Sequence, residues 1–198
     1  MPTSRKLWPM KWVVIAMIAF MAAYTYVNLH YRKPGPSYEP YRDARERARL
    51  AGAGFSRVTA RAARSASLGL PAAPIGAQAL PGGLPADLAA GLLDKPLLPA
   101  TIGEVAGPLT AEAARPASVQ FFCTLGDDRQ QLAGAKLYVK GGSAFIVPAF
   151  ERLAPGLAAR SRRDIVSVTV PAGSLKPGRY QITIVGAAQS RRWTLQVH

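Results

Sequence analysis

The sequence predicts one N-terminal transmembrane α-helix followed by a mainly-β domain, an antiparallel sandwich. Three observations carry that prediction. Residues 12–29 read WVVIAMIAFMAAYTYVNL, with no charged side chain. From residue 117 onward apolar residues recur at every second position, in runs separated by Gly and Asp turn signals. Between the two regions prolines recur too often for a long helix or a central strand.

The first element is a helix over 12–30, preceded by a short tail, 1–11. Eighteen uncharged residues make about 27 Å of helix at ~1.5 Å per residue, close to the roughly 30 Å hydrocarbon core of a bilayer. Arg5, Lys6 and Lys11 precede it, as in a secretory signal, but no clean small-x-small cleavage site forms at Ala22 or Ala23. The apolar run also continues past Ala23, so the helix reads as an uncleaved anchor. Trp8 and Trp12 at one end, with Tyr26 and Tyr31 at the other, suit the aromatic belts of membrane interfaces. Ala16, Ala19 and Ala23 fall on one side at helical spacing. Small residues there let a partner helix approach closely, and they are equally compatible with lipid. Orientation has two opposing signals. More basic residues follow the helix than precede it, which favours a cytoplasmic C-terminal side, whereas large domains translocate largely regardless of charge. We take the distal domain to be extracytoplasmic, in a cell (inner) membrane.

The formal net charge is +14. It is unevenly spread: residues 1–64 hold 12 Lys/Arg against three acids, whereas residues 65–107 hold one Lys against three acids. A basic juxtamembrane segment, 31–64, attracts anionic lipid headgroups. Nucleic acid is an unfavoured partner, because no helix-turn-helix, zinc or aromatic RNA-binding signature accompanies the charge.

After the anchor, Pro34, Pro36 and Pro40 force an extended exit. Residues 41–51 form a short helix, with Asp43 and Glu46 early and Arg45, Arg47 and Arg49 later, ended by Gly52 and Gly54. Leu50 is its one strong apolar residue, so it reads as lying on a membrane surface or against another subunit. Residues 54–64 could make a short strand with Ser56, Val58 and Ala60 on one side. The Pro/Ala/Gly/Leu-rich segment 65–107 reads either as a strap along a neighbouring protein or as a semi-rigid tether. Within it, 85–95 suits a turn or two of helix.

The third region, 108–198, carries six strand-like runs. Val166, Val168 and Val170 share a face, as do Ile182 with Ile184, and Trp193 with Leu195 and Val197. The predicted core is Phe121, Tyr138, Ile146, Val168, Leu175, Ile182, Ile184, Trp193 and Leu195. The run Leu175-Lys176-Pro177-Gly178-Arg179-Tyr180 resembles the L-x-P-G-x-Y corner of immunoglobulin-like and fibronectin type III-like domains. The resemblance implies an immunoglobulin-like sandwich in which Leu175, Pro177, Gly178 and Tyr180 form a structural corner. It also implies that the Tyr180 hydroxyl bonds back to backbone near 174–177. It implies no function.

No catalytic, cofactor-binding or metal-ligating set is legible. Cys123 is the only cysteine and reads as a small buried residue. The histidines, His30 and His198, are far apart in sequence. Asp127, Asp128 and Asp164 are the only candidate acids for an enzyme, and Asp127-Asp128 reads as a solvated turn. The sequence therefore favours a membrane-anchored, non-enzymatic interaction protein: an accessory or assembly subunit of a larger membrane complex, of the respiratory or transport kind. Its expected partners are membrane lipid and integral-membrane protein. The alternative is a tethered module that binds a polyanion (lipid headgroup, cell-wall polymer or nucleic acid) through Arg160, Arg162, Arg163, Arg191 and Arg192.

Overall fold

A computed structural model describes residues 9–31, 40–65, 73–159 and 161–198. Arg5, Lys6, Trp8, Arg32, Lys33, Pro34, Pro36 and Arg160 lie outside the described residues, as does the side chain of Tyr31. The chain divides into two units, 1–40 and 41–198.

The first unit holds α1, Met10–Tyr31. It is uncharged from Trp12 to Leu29 and exposed from Met10 to His30. Met10–His30 is long and apolar enough to cross a membrane. Trp12, Ile18, Phe20 and Leu29 are all more than half exposed, a state that water penalises and lipid does not.

The second unit is a closed β-barrel with two short helices on its outside. Its elements are α2 (Tyr41–Gly52), β1 (Ser56–Arg64), β2 (Gln78–Pro81), α3 (Ala86–Gly91) and β3 (Thr101–Ala106). These are followed by β4 (Thr110–Ala111), β5 (Ala117–Thr124), β6 (Gln130–Lys140) and β7 (Ser143–Arg152). The last three are β8 (Arg163–Val170), β9 (Gly178–Ile184) and β10 (Gln189–Val197). Eight strands run round the barrel in the order β10-β3-β5-β8-β1-β6-β7-β9, and β9 pairs with β10 again to close it. Most neighbours are antiparallel, but β7 pairs with β9 in parallel, and so does β10 with β3.

This corrects the immunoglobulin-like reading. A sandwich keeps two sheets apart, whereas here β1 joins them. Its first half pairs with β6 (Ser56↔Val139 to Ala60↔Ala135) and its second half with β8 (Arg61↔Thr169 to Arg64↔Val166). Both β1 and β3 come from before residue 108, from stretches whose alternation is short and interrupted. The six strands from 117 onward are present, but they are six staves of a barrel rather than two facing sheets.

Inward positions alternate with outward ones, as closure requires. Phe121, Leu137, Ile146, Val166, Val168, Ile182, Ile184, Trp193 and Leu195 fill the interior together with Cys123 and Phe150. Tyr138 is buried as expected but on the outer face, one step out of register with Leu137. Leu175 and Tyr180 join the interior cluster. Among the described residues, the Tyr180 hydroxyl makes no hydrogen bond to backbone at 174–177.

The closure between β10 and β3 is narrow, a single parallel pair at Gln189↔Thr101. The segment 73–81 covers the rest of it. Its β2 part pairs with β10 over Gln189–Arg192, while the Ile75 amide donates to the Val105 carbonyl of β3 at 2.8 Å. The predicted strap thus lies along the chain's own barrel. Glycine permits the crossing at its end, since a Cβ on Gly82 would collide with the backbone of Ala187 and Ala188.

Candidate functional surfaces

The outer face of β6 and β7 carries a second apolar cluster, Leu50, Phe55, Leu88, Leu92, Tyr138, Val147 and Val185. Helices α2 and α3 cover it. Leu50 is fully buried, and Gly91 admits it: a Cβ there would stand 2.8 Å from Leu50 Cδ2. One turn before Leu50, on the same face, sits Glu46. Its carboxylate accepts from Arg57 Nη1 at 2.9 Å and from Lys136 Nζ at 3.4 Å. Asp43 Oδ1 also faces Arg57, at 3.4 Å. The Glu46 and Arg57 side chains are each only 8% exposed, so this pair is desolvated. Burial alone would lower the Arg57 pKa, but the two carboxylates outweigh it and hold the guanidinium above its ordinary value. Burial, aided by the Glu46 charge, raises the Tyr138 phenol. Lys140 adds a rim contact, with Nζ 2.9 Å from Asp87 Oδ2 and 4.9 Å from the Phe55 ring centroid.

This clasp corrects the expectation that the buried side of α2 lies against another subunit. Its buried face docks on its own barrel. The sequence hint was the spacing of Glu46 and Leu50, four residues apart, with a basic strand following.

At one point in the wall, two charged residues fall on inward-parity positions. Arg64 Nε lies 2.6 Å from Asp164 Oδ2, and Cys123 sits opposite Asp164 across the β5–β8 ladder. Burial raises the Asp164 carboxyl, against the pull of Arg64 and the Ile165 amide. The Cys123 thiol is pushed up to about 12, first by burial and then by the Asp164 charge. At neutral pH it is a protonated thiol, a poor nucleophile. Asp127 accepts from the Arg129 amide at 2.9 Å, in the turn just beyond the end of the β5–β8 ladder. Among the described residues, no group of three or more His, Cys, Asp or Glu is placed to hold a metal ion.

The arginines of the polyanion reading are not drawn into one patch. Arg162 and Arg163 are exposed at the start of β8. Strands β5 and β3 separate them from β10, about 14 Å at ~4.8 Å per strand. On β10, Arg191 is half-buried in the seam, donating to the carbonyls of Ile102 and Ala77, both at 3.3 Å. Arg192 donates to Thr183 Oγ1 at 3.2 Å. Ala16, Ala19 and Ala23 lie exposed on α1. Beside the short strand β4, Pro108, Glu112, Arg115 and His198 line an open groove of about 670 Å³. Its charges are partly spent internally, with Arg115 Nε 3.0 Å from Glu112 Oε2.

No protein-family model, curated protein or solved structure matches this chain.

Proposed function

We propose that this chain is a membrane-anchored, non-enzymatic interaction protein, an accessory or assembly subunit of a larger membrane complex. The carrying observation is the combination of an apolar helix exposed over Met10–His30 with a barrel whose interior is filled by side chains. A filled barrel offers its outside, not its inside, to other molecules. An all-round apolar helix needs lipid or partner helices as its surroundings. The small residues Ala16, Ala19 and Ala23 support close approach by an integral-membrane partner. We assign the helix to a cell (inner) membrane, with the barrel on the extracytoplasmic side.

Extraction in a mild detergent followed by identification of co-purifying proteins tests this reading. The expected result is a hetero-oligomer containing an integral-membrane protein, loosened by Ala19→Phe. A monomer under gentle extraction overturns it. The side of the membrane is tested separately with Ala172→Cys, on an exposed turn. An impermeant maleimide should label it in intact cells, and labelling only after permeabilisation reverses the orientation.

A further inference from the structure

We propose that α2 is a lipid-contact helix whose outward face, carrying Tyr41, Arg45 and Arg49, rests on an anionic phospholipid surface. Three independent observations converge on that face. The first is charge. Arg45 and Arg49 lie one turn apart, both are exposed, and neither makes a hydrogen bond or ion pair among the described residues. The neighbouring cations are already engaged: Arg42 pairs with Asp94 at 3.1 Å and Arg57 with Glu46. Arg47 has a contact of its own, so the free positive charge of the helix is concentrated at two exposed positions, Arg45 and Arg49.

The second observation is apolar. Tyr41 is 76% exposed at the start of the same helix, one turn before Arg45. Tyrosine beside arginine on a solvent face is the chemistry of a bilayer interface, where the ring sits at headgroup depth and the guanidinium meets phosphate. Beside this stripe stand Ala44 and Ala48, both exposed and short, so nothing bulky holds the helix off a flat surface.

The third is tethering. Only residues 32–39 separate the end of α1 from Pro40, a reach of at most about 30 Å at ~3.3–3.6 Å per residue. If α1 spans a bilayer, α2 is held at high effective concentration beside that bilayer's surface. A different face of α2 is fixed to β1 and α3 by Leu50 and the Glu46–Arg57 pair. Docking would therefore set the orientation of the barrel, not of a loose helix.

The test uses the full chain reconstituted into nanodiscs, one set of phosphatidylcholine alone and one with about a third phosphatidylglycerol. Ala48→Cys carries an environment-sensitive fluorophore, and the native Cys123 stays unlabelled because it is 2% exposed. A headgroup-level quencher should quench the label in phosphatidylglycerol discs only. Salt near 1 M, where the Debye length is about 3 Å, should reverse it. Arg45→Gln with Arg49→Gln should lower the docked-to-free ratio about 25-fold, at roughly fivefold per basic residue near an anionic surface. Lys176→Gln with Arg179→Gln, on exposed positions elsewhere, should leave it unchanged. Equal quenching in both lipids overturns the proposal, and so does full quenching of the arginine variant. Protection of the label only when another membrane protein is added makes the face a protein contact, and equally overturns it. Continued protection of Cys123 in every variant verifies that the barrel is folded.

Discussion

The interior of the barrel and the clasp on its outer wall are both buried, yet they are built from different materials. Inside, alternate residues from eight strands meet as an apolar cluster, and positional specificity comes from shape. Outside, α2 is held by one leucine and one desolvated carboxylate, and specificity comes from charge placement. An apolar core loses stability in proportion to the atoms removed. A buried ion pair responds asymmetrically: removing one partner strands the other, whereas removing both costs little. The same surface area can thus be robust or brittle depending on whether its contacts are interchangeable.

The largest expected effect is in the interior. Phe121 is fully buried, and Phe121→Ala should destabilise the barrel by about 3–5 kcal/mol, through lost transfer energy and the cavity left behind. Denaturation of the full chain, followed by exposure of Cys123 to a thiol reagent, measures it. At neutral pH labelling of that thiol should track global opening, because it is both buried and protonated.

The clasp should break differently. Glu46→Ala should cost about 3 kcal/mol, the low end for an orphaned buried charge, because Asp43 remains within reach of Arg57. Replacing both partners, Glu46→Leu with Arg57→Met, should restore most of that loss. A double variant no better than the single one would mean the clasp is held by packing alone, and the contrast between the two regions would collapse.

The same contrast governs what was legible in the sequence. Period-two runs such as Val166-Ser167-Val168-Thr169-Val170 announce strand and burial together, so the interior residues were readable. Alternation fixes which face is buried but not what pairs with what. Antiparallel neighbours in sequence were foreseeable. The parallel β7–β9 pairing and the insertion of β1 between β6 and β8 were not, since both are long-range choices with no local signature. The corner motif before β9 misled because a Pro-Gly entry into a strand suits a barrel as well as a sandwich. Alternation alone places Tyr138 in the interior, and it is one register step out. Here two short helices cover it, and an outer tyrosine becomes core. The Glu46–Arg57 pair left only a weak sequence hint, the four-residue spacing of Glu46 and Leu50, for a related reason. On an arginine-rich helix, burial of a glutamate is decided by what it docks against.

The seam should respond less than either region. Arg191 holds β10 to the carbonyls of β3 and of the 73–77 stretch through two long bonds, so Arg191→Ala should cost about 1.5 kcal/mol. If the barrel instead opens at that seam, Ile75 and Ala77 should lose amide-exchange protection ahead of β1 and β6.

Asp164 gives a pH-dependent term of opposite sign to the usual acid loss. Its folded-state pKa is raised, so the folded state binds the proton more tightly than the unfolded chain. Its contribution to stability should grow as pH falls through that raised value and be complete below the unfolded value of ~3.9. Asp164→Asn should remove this gain, visible as a flatter stability profile just above pH ~4.

The smallest expected effect is at Tyr180, where two architectures make opposite demands. In a sandwich corner the hydroxyl anchors upstream backbone, and its removal would cost about 1 kcal/mol. In the barrel the ring packs in the interior cluster, while the hydroxyl has no backbone partner at 174–177 among the described residues. The ring carries the packing, and phenylalanine keeps the ring. Tyr180→Phe should therefore change stability by less than about 0.5 kcal/mol, whereas Tyr180→Ala should cost about 3 kcal/mol or more. Parallel chemical denaturation of the two variants separates these cases. A loss at Tyr180→Phe comparable to a buried hydrogen bond would show that this end of β9 is tied down by its hydroxyl, and the barrel's dependence on shape alone would fail there.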